Sequence, residues 1–127
     1  MRARDSRGNS AHRSRPNSTS GRGRRQRRRV DRWCAEYRAL ASRHRDADGR
    51  PPQHSFFYPE EEYAEEHLDK LAQLCADGYG EIEVHLHHDN DTEQNFRVSI
   101  GRFCKTLHEK HGALPRDPET GQLRFGF

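Results

Sequence analysis

The stretch Glu81-Ile82-Glu83-Val84-His85-Leu86-His87 alternates strictly, with Ile82, Val84 and Leu86 on one side and Glu81, Glu83, His85 and His87 on the other. A period of two over this length is the signature of a strand with one buried face. A second strand-like run, His54-Ser55-Phe56-Phe57-Tyr58, is aromatic at its centre and stops at Pro59. Between the two runs, Tyr63, His67, Leu71, Leu74 and Cys75 form one stripe at helical spacing, with Ala64, Leu68 and Ala72 beside it. Glu60, Glu61 and Glu62 are expected in the first turn of that helix, where the macrodipole favours carboxylates, and Asp77-Gly78 closes it. Strands bridged by a helix of this length are joined by a right-handed crossover and lie parallel, so the chain is α/β. Ligands of such sheets bind beyond the carboxyl ends of the strands.

The flanking segments extend the same alternation. Val30, Trp33, Tyr37, Leu40 and Ala41 recur at helical spacing and predict a helix over 30–44, broken by the loop Asp46-Ala47-Asp48-Gly49-Arg50-Pro51-Pro52. Phe96, Ile100, Phe103 and Leu107 predict a further helix over 92–111, with Asp91 as its N-cap, Gln94 at the capping-box position and Gly112 as its stop. Beyond a turn at Asp117-Pro118-Glu119-Thr120-Gly121, Leu123, Phe125 and Phe127 alternate like the first half of another strand. The order expected is helix, strand, helix, strand, helix, strand.

Charge divides the chain. Residues 1–29 carry eleven arginines and one aspartate, a net +10, which leaves −7 for residues 30–127 of the overall +3. The first segment offers no core builder beyond Met1 and two alanines, so 1–29 is expected as a disordered Arg-rich tail and 30–127 as the α/β domain. Arg24, Arg25, Arg27, Arg28 and Arg29 could contact phosphates, but with no aromatic residue beside them such nucleic-acid binding would be non-specific. A solvated tail, or a coding region begun at the wrong codon, gives the same composition. With 30% hydrophobic and 34% charged residues the core must be modest. Neither a membrane-spanning run nor a secretory signal is visible, so a soluble, cytoplasmic protein is expected. Cys34, Cys75 and Cys104 have neither disulfide nor CxxC spacing and are read as reduced thiols.

The alternating strand runs out into His85-Leu86-His87-His88-Asp89-Asn90-Asp91. His85 and His88, one from the strand and one from the loop after it, could meet a zinc-like ion at ~2.0–2.1 Å. A catalytic site of that kind needs a third protein ligand, and Asp89 and Asp91 are poorly placed for it, the one adjoining His88 and the other expected to cap a helix. An EF-hand is excluded because the loop lacks the glycine its turn requires. The plainer reading is a polar strand end whose imidazoles face water.

Phe56-Phe57-Tyr58, the helix after it, and Gly78-Tyr79-Gly80 leading into His85-Leu86-His87-His88-Asp89 resemble the middle of a NodB-type polysaccharide deacetylase. A similar pattern occurs in uncharacterised bacterial proteins of the glycoside hydrolase/deacetylase (β/α)-barrel superfamily. The resemblance covers about residues 30–127. It implies a fragment of a (β/α) barrel, two to three βα units with a short parallel sheet, preceded by the disordered basic tail. It further implies His85 and His88 as metal ligands, His87 and Asp89 as accessory groups, zinc as the ion, and an N-acetyl sugar polymer as substrate. Asp46 and Asp48 mimic the family's paired aspartates. Only Arg50 to Gln53 separate them from the strand at His54, too few for a crossover helix. By this resemblance most catalytic motifs would lie on barrel segments upstream and downstream, and the chain would be inactive alone. The alternative function is that of a small nucleic-acid-binding protein acting through its arginine tail.

Overall fold

The computed structural model describes residues 21–127; residues 1–20, most of the expected tail, lie outside the described residues. Three helices and two strands follow in the order α1 (Gly21–Ala41), β1 (His54–Pro59), α2 (Glu65–Leu74), β2 (Gly80–His85) and α3 (Glu93–His111). The strands pair in parallel, His54 opposite Gly80 through Pro59 opposite His85, with α2 as the crossover. The helix-bridged parallel pair expected from the sequence is therefore present. No helix among the described residues is long and apolar enough to cross a membrane.

Four boundaries differ from expectation. α1 starts at Gly21, so Arg24, Arg25, Arg27, Arg28 and Arg29 stand on a helix and not in a disordered tail. Arginine is a good helix former, and Arg27 meets Glu66 of α2 at 2.8 Å, which holds the added turns against the body. Glu60–Glu62 form a separate 3-10 turn after β1, because Tyr63 and Ala64 return to extended backbone before α2 begins. The cap of α3 is Thr92, whose Oγ1 accepts the amide N–H of Asn95 at 3.1 Å; Asp91 is one residue too early for that bond. Leu123, Phe125 and Phe127 do not form a third strand. Leu123 makes one isolated antiparallel bridge to Arg116, and only Gly126 reaches the sheet, its carbonyl accepting from Val84 N–H at 3.2 Å and its N–H donating to a Glu83 carboxylate oxygen.

The core gathers Leu68 and Leu71 of α2, Ile82 and Val84 of β2, and Phe103, Cys104 and Leu107 of α3, with Leu114 behind them. Cys34 of α1 and Phe56 and Tyr58 of β1 pack on its margin. All three helices therefore serve the sheet face that carries Ile82 and Val84. Trp33 stacks on Tyr37 at 4.9 Å and meets Phe56 edge-on at 5.1 Å, closing the amino end of β1. The other face carries Ser55, Phe57, Glu81 and Glu83, and Phe57 is 50% exposed there. Parallel sheets are ordinarily covered on both faces, whereas among the described residues no helix lies over this one.

A polar joint fixes α2 against α3. The wholly buried ring of His111 lies between Asp69 Oδ1, 3.0 Å from Nδ1, and Tyr63 Oη, 3.0 Å from Nε2. At the start of the strand pair, Gly80 passes so close to β1 that a Cβ there would lie 2.1 Å from the carbonyl oxygen of His54. Gly80→Ala is expected to cost about 2 kcal/mol or more, since backbone must shift to admit it. Gly101→Ala, on an open stretch of α3 with nothing within 4 Å, is expected to gain about 0.5–1 kcal/mol. Urea unfolding of the two variants checks this, and equal effects of one sign would show that the close approach does not constrain the fold.

Candidate functional site

β2 ends at His85, and Leu86 turns back into the core while His87, His88 and Asp89 stand exposed in the loop beyond it. Asn90 adopts a left-handed backbone (φ 55°), which short amide side chains tolerate, and it swings the chain toward the cap of α3. The preceding strand ends at the same edge, because Pro59 pairs with His85. The 3-10 turn then delivers Glu61 to the histidines. One carboxylate oxygen of Glu61 accepts the backbone N–H of His87 at 3.0 Å and lies 2.5 Å from its Nδ1. Partial burial pushes the Glu61 carboxyl up. Its bonds to the amides of Glu61 and His87, with the charge and ring N–H of His87, outweigh this and hold it below its ordinary value.

The His85 ring meets the His87 ring edge-on at 4.8 Å. His88 Nδ1 lies 3.5 Å from Asp91 Oδ2, and its ring packs 5.0 Å from Phe96. Phe127 completes the patch, 6.4 Å from His85, 6.4 Å from His88 and 5.4 Å from Phe96. The carboxyl end of the sheet thus carries three imidazoles, two carboxylates and two phenyl rings. Asp89 is exposed in the loop.

Asp46 and Asp48 stand elsewhere. Asp46 Oδ1 accepts the N–H groups of Asp48 and Arg50 at 2.9 and 2.8 Å, an Asx-type turn in the loop that leads into the amino end of β1. At ~3.3 Å per residue the strand separates that loop from His85 by roughly 16 Å. They therefore do not join the histidines as accessory groups. Among the described residues, no three His, Cys, Asp or Glu side chains gather closely enough to hold a metal ion. Two imidazoles, one paired with Asp91 and one packed against a neighbouring ring, do not make the ligand set of a catalytic zinc.

Sequence reasoning missed Glu61, which it placed in a first helical turn. The available signal was positional: Pro59 ends the strand, and the residues just after a strand of a parallel sheet face its ligand side. It also missed the joint of His111 with Asp69 and Tyr63, whose members lie on α3, on α2 and in the stretch just before α2. The cysteines offer no nucleophile, since burial raises all three and pushes Cys75 up to about 11, leaving it a thiol at neutral pH. Set against protein-family models, curated proteins and solved structures, the chain matches none.

Because the carboxyl of Glu61 is depressed, the stabilisation it gives is present above its unfolded value and is lost as pH falls through the lower folded one. Between about pH 5 and pH 3, thermal unfolding of the native chain is expected to lose more stability than that of Glu61→Gln. The group is half exposed, so the difference should stay under about 1 kcal/mol. Superimposable pH profiles would show that the contact with His87 carries no net energy.

Proposed function

We propose that the chain forms part of a carbohydrate-active hydrolase of the deacetylase type, to which it contributes the strand-end imidazoles His85 and His88. The observation that carries this reading is the one-sided architecture. Helices serve one face of a parallel pair, the other face is open and polar, and Glu61, His85, His87 and His88 collect at the carboxyl rim between them. A (β/α)-barrel unit likewise has helices over one face of its parallel strands and its chemistry at the carboxyl rim. The likeness of Phe56-Phe57-Tyr58 and His85-Leu86-His87-His88 to a deacetylase core adds the substrate class, an N-acetyl sugar polymer. Half-exposed Phe57 and the ring of Phe127 give that side apolar surface suited to a sugar ring.

Two imidazoles fall short of the three protein ligands that a catalytic zinc takes, so the role proposed for these residues is binding and not turnover. Glu61 holds the His87 backbone and ring, which sets the direction in which the rest of the loop presents His88. Isothermal titration of the full chain with zinc tests the reading. Weak stoichiometric uptake is expected, falling by at least about tenfold in His85→Ala and in His88→Ala, with Asp46→Ala unchanged. Uptake that is the same in the native chain and in both histidine variants would overturn it.

A further inference from the structure

We propose that the outward face of the first half of α1, carrying Arg24, Arg25, Arg28 and Arg29, is a docking surface for the phosphate backbone of duplex DNA. This inference is independent of the hydrolase reading. It rests on how the helix is rolled. Val30, Cys34 and Ala41 turn inward, and three ion pairs tie that edge to α2 and the turn after it: Arg27 with Glu66 at 2.8 Å, Arg38 with Asp77 at 2.6 Å, and Asp31 with Lys70. At ~100° per residue, Arg24, Arg25, Arg28 and Arg29 then occupy one outward arc of roughly 140°. All four are exposed.

Several exposed arginines elsewhere are engaged: Arg32 meets Glu36, Arg97 meets Glu93 and Arg102 meets Glu60, while Arg43, Arg45 and Arg116 donate to backbone carbonyls. Among the described residues, no carboxylate pairs with Arg24, Arg25, Arg28 or Arg29, although the body they sit on is acidic. Four guanidinium groups held on one ordered face suit a regular array of phosphates, whose neutralisation releases counterions.

The face also argues against other polyanions. An interfacial helix sinks an apolar face into the lipid, and here Val30, Cys34 and Ala41 of α1 are turned into the protein, with no large apolar residue on the arc of arginines. The outward arc carries no aromatic residue for stacking unpaired bases. A convex helix face fits the ~12 Å major groove of B-DNA, whereas the major groove of an RNA duplex is deep and narrow. With the four guanidinium groups engaged by phosphates, which carry no sequence information, the binding is independent of sequence.

Fluorescence anisotropy of the full chain with a short labelled DNA duplex, across a salt series, tests the proposal. In the fourfold variant R24Q/R25Q/R28Q/R29Q, affinity is expected to fall by at least about tenfold, and the slope of log affinity on log salt to drop by about 3 to 4. Arg28→Gln should lower the slope by about 1, while Arg27→Gln, which removes a side chain already engaged by Glu66, should change it by less. An unchanged fourfold variant overturns the proposal. Equal losses in Arg27→Gln and Arg28→Gln overturn the ordered face and return the arginines to an unstructured run. Tighter binding to phosphatidylserine vesicles, or to an RNA duplex, overturns the assignment to DNA.

Discussion

The contact between Gly80 and the carbonyl of His54 sets the register on which the rest of the molecule depends. In a strand the side chains alternate, so a slip of one residue would exchange the two faces of β2. With Gly80 opposite His54, Ile82 and Val84 point to the helices, and Glu81 and Glu83 point away from them. The same register brings Pro59 level with His85, so the two strands end together. Everything that gathers at the rim, Glu61 from the turn after one strand and three histidines from the end of the other and the loop beyond it, follows from that alignment.

The elements whose side chains repeat regularly were legible from the sequence, because periodicity is a local record of burial. β2, the stripe of α2 and the stripe of α3 each carry it, and each forms. What was not legible depended on contacts between distant residues. Arg24 to Arg29 show no apolar pattern, and their helix is secured by an arginine reaching Glu66 on another element. The three glutamates after Pro59 satisfy a helix-start rule, yet Tyr58 Oη donates to the Glu62 carbonyl at 2.9 Å and Arg102 binds Glu60 at 2.6 Å, bonds suited to a tight separate turn. Leu123, Phe125 and Phe127 have the alternation of a strand, but their segment bonds to β2 only through Gly126, with a single backbone–backbone bond to Val84 and one to the Glu83 carboxylate. Of the candidate site, His85, His87 and His88 were visible as a cluster, whereas Glu61 was recognisable only once the strand ends were known to coincide.

Charge is partitioned in space as well as in sequence. The arginines on the outward arc of α1 lie on one side of the helix, and the ion pairs that dock it run along the edge beside them. Exposed pairs are individually weak. Three along one helix edge, with Ala41 buried at its end, still suffice to define which residues face water. Burial near the helices does the opposite to the cysteines, keeping them protonated and inert.

The two-stranded sheet has one further consequence. Among the described residues, each strand has an outer side along which most peptide N–H and C=O groups meet no other strand, Gly126 supplying the single exception beside β2. Such rows are templates for another extended chain. An extended segment laid along the outer side of β1 would find a full row of backbone partners there.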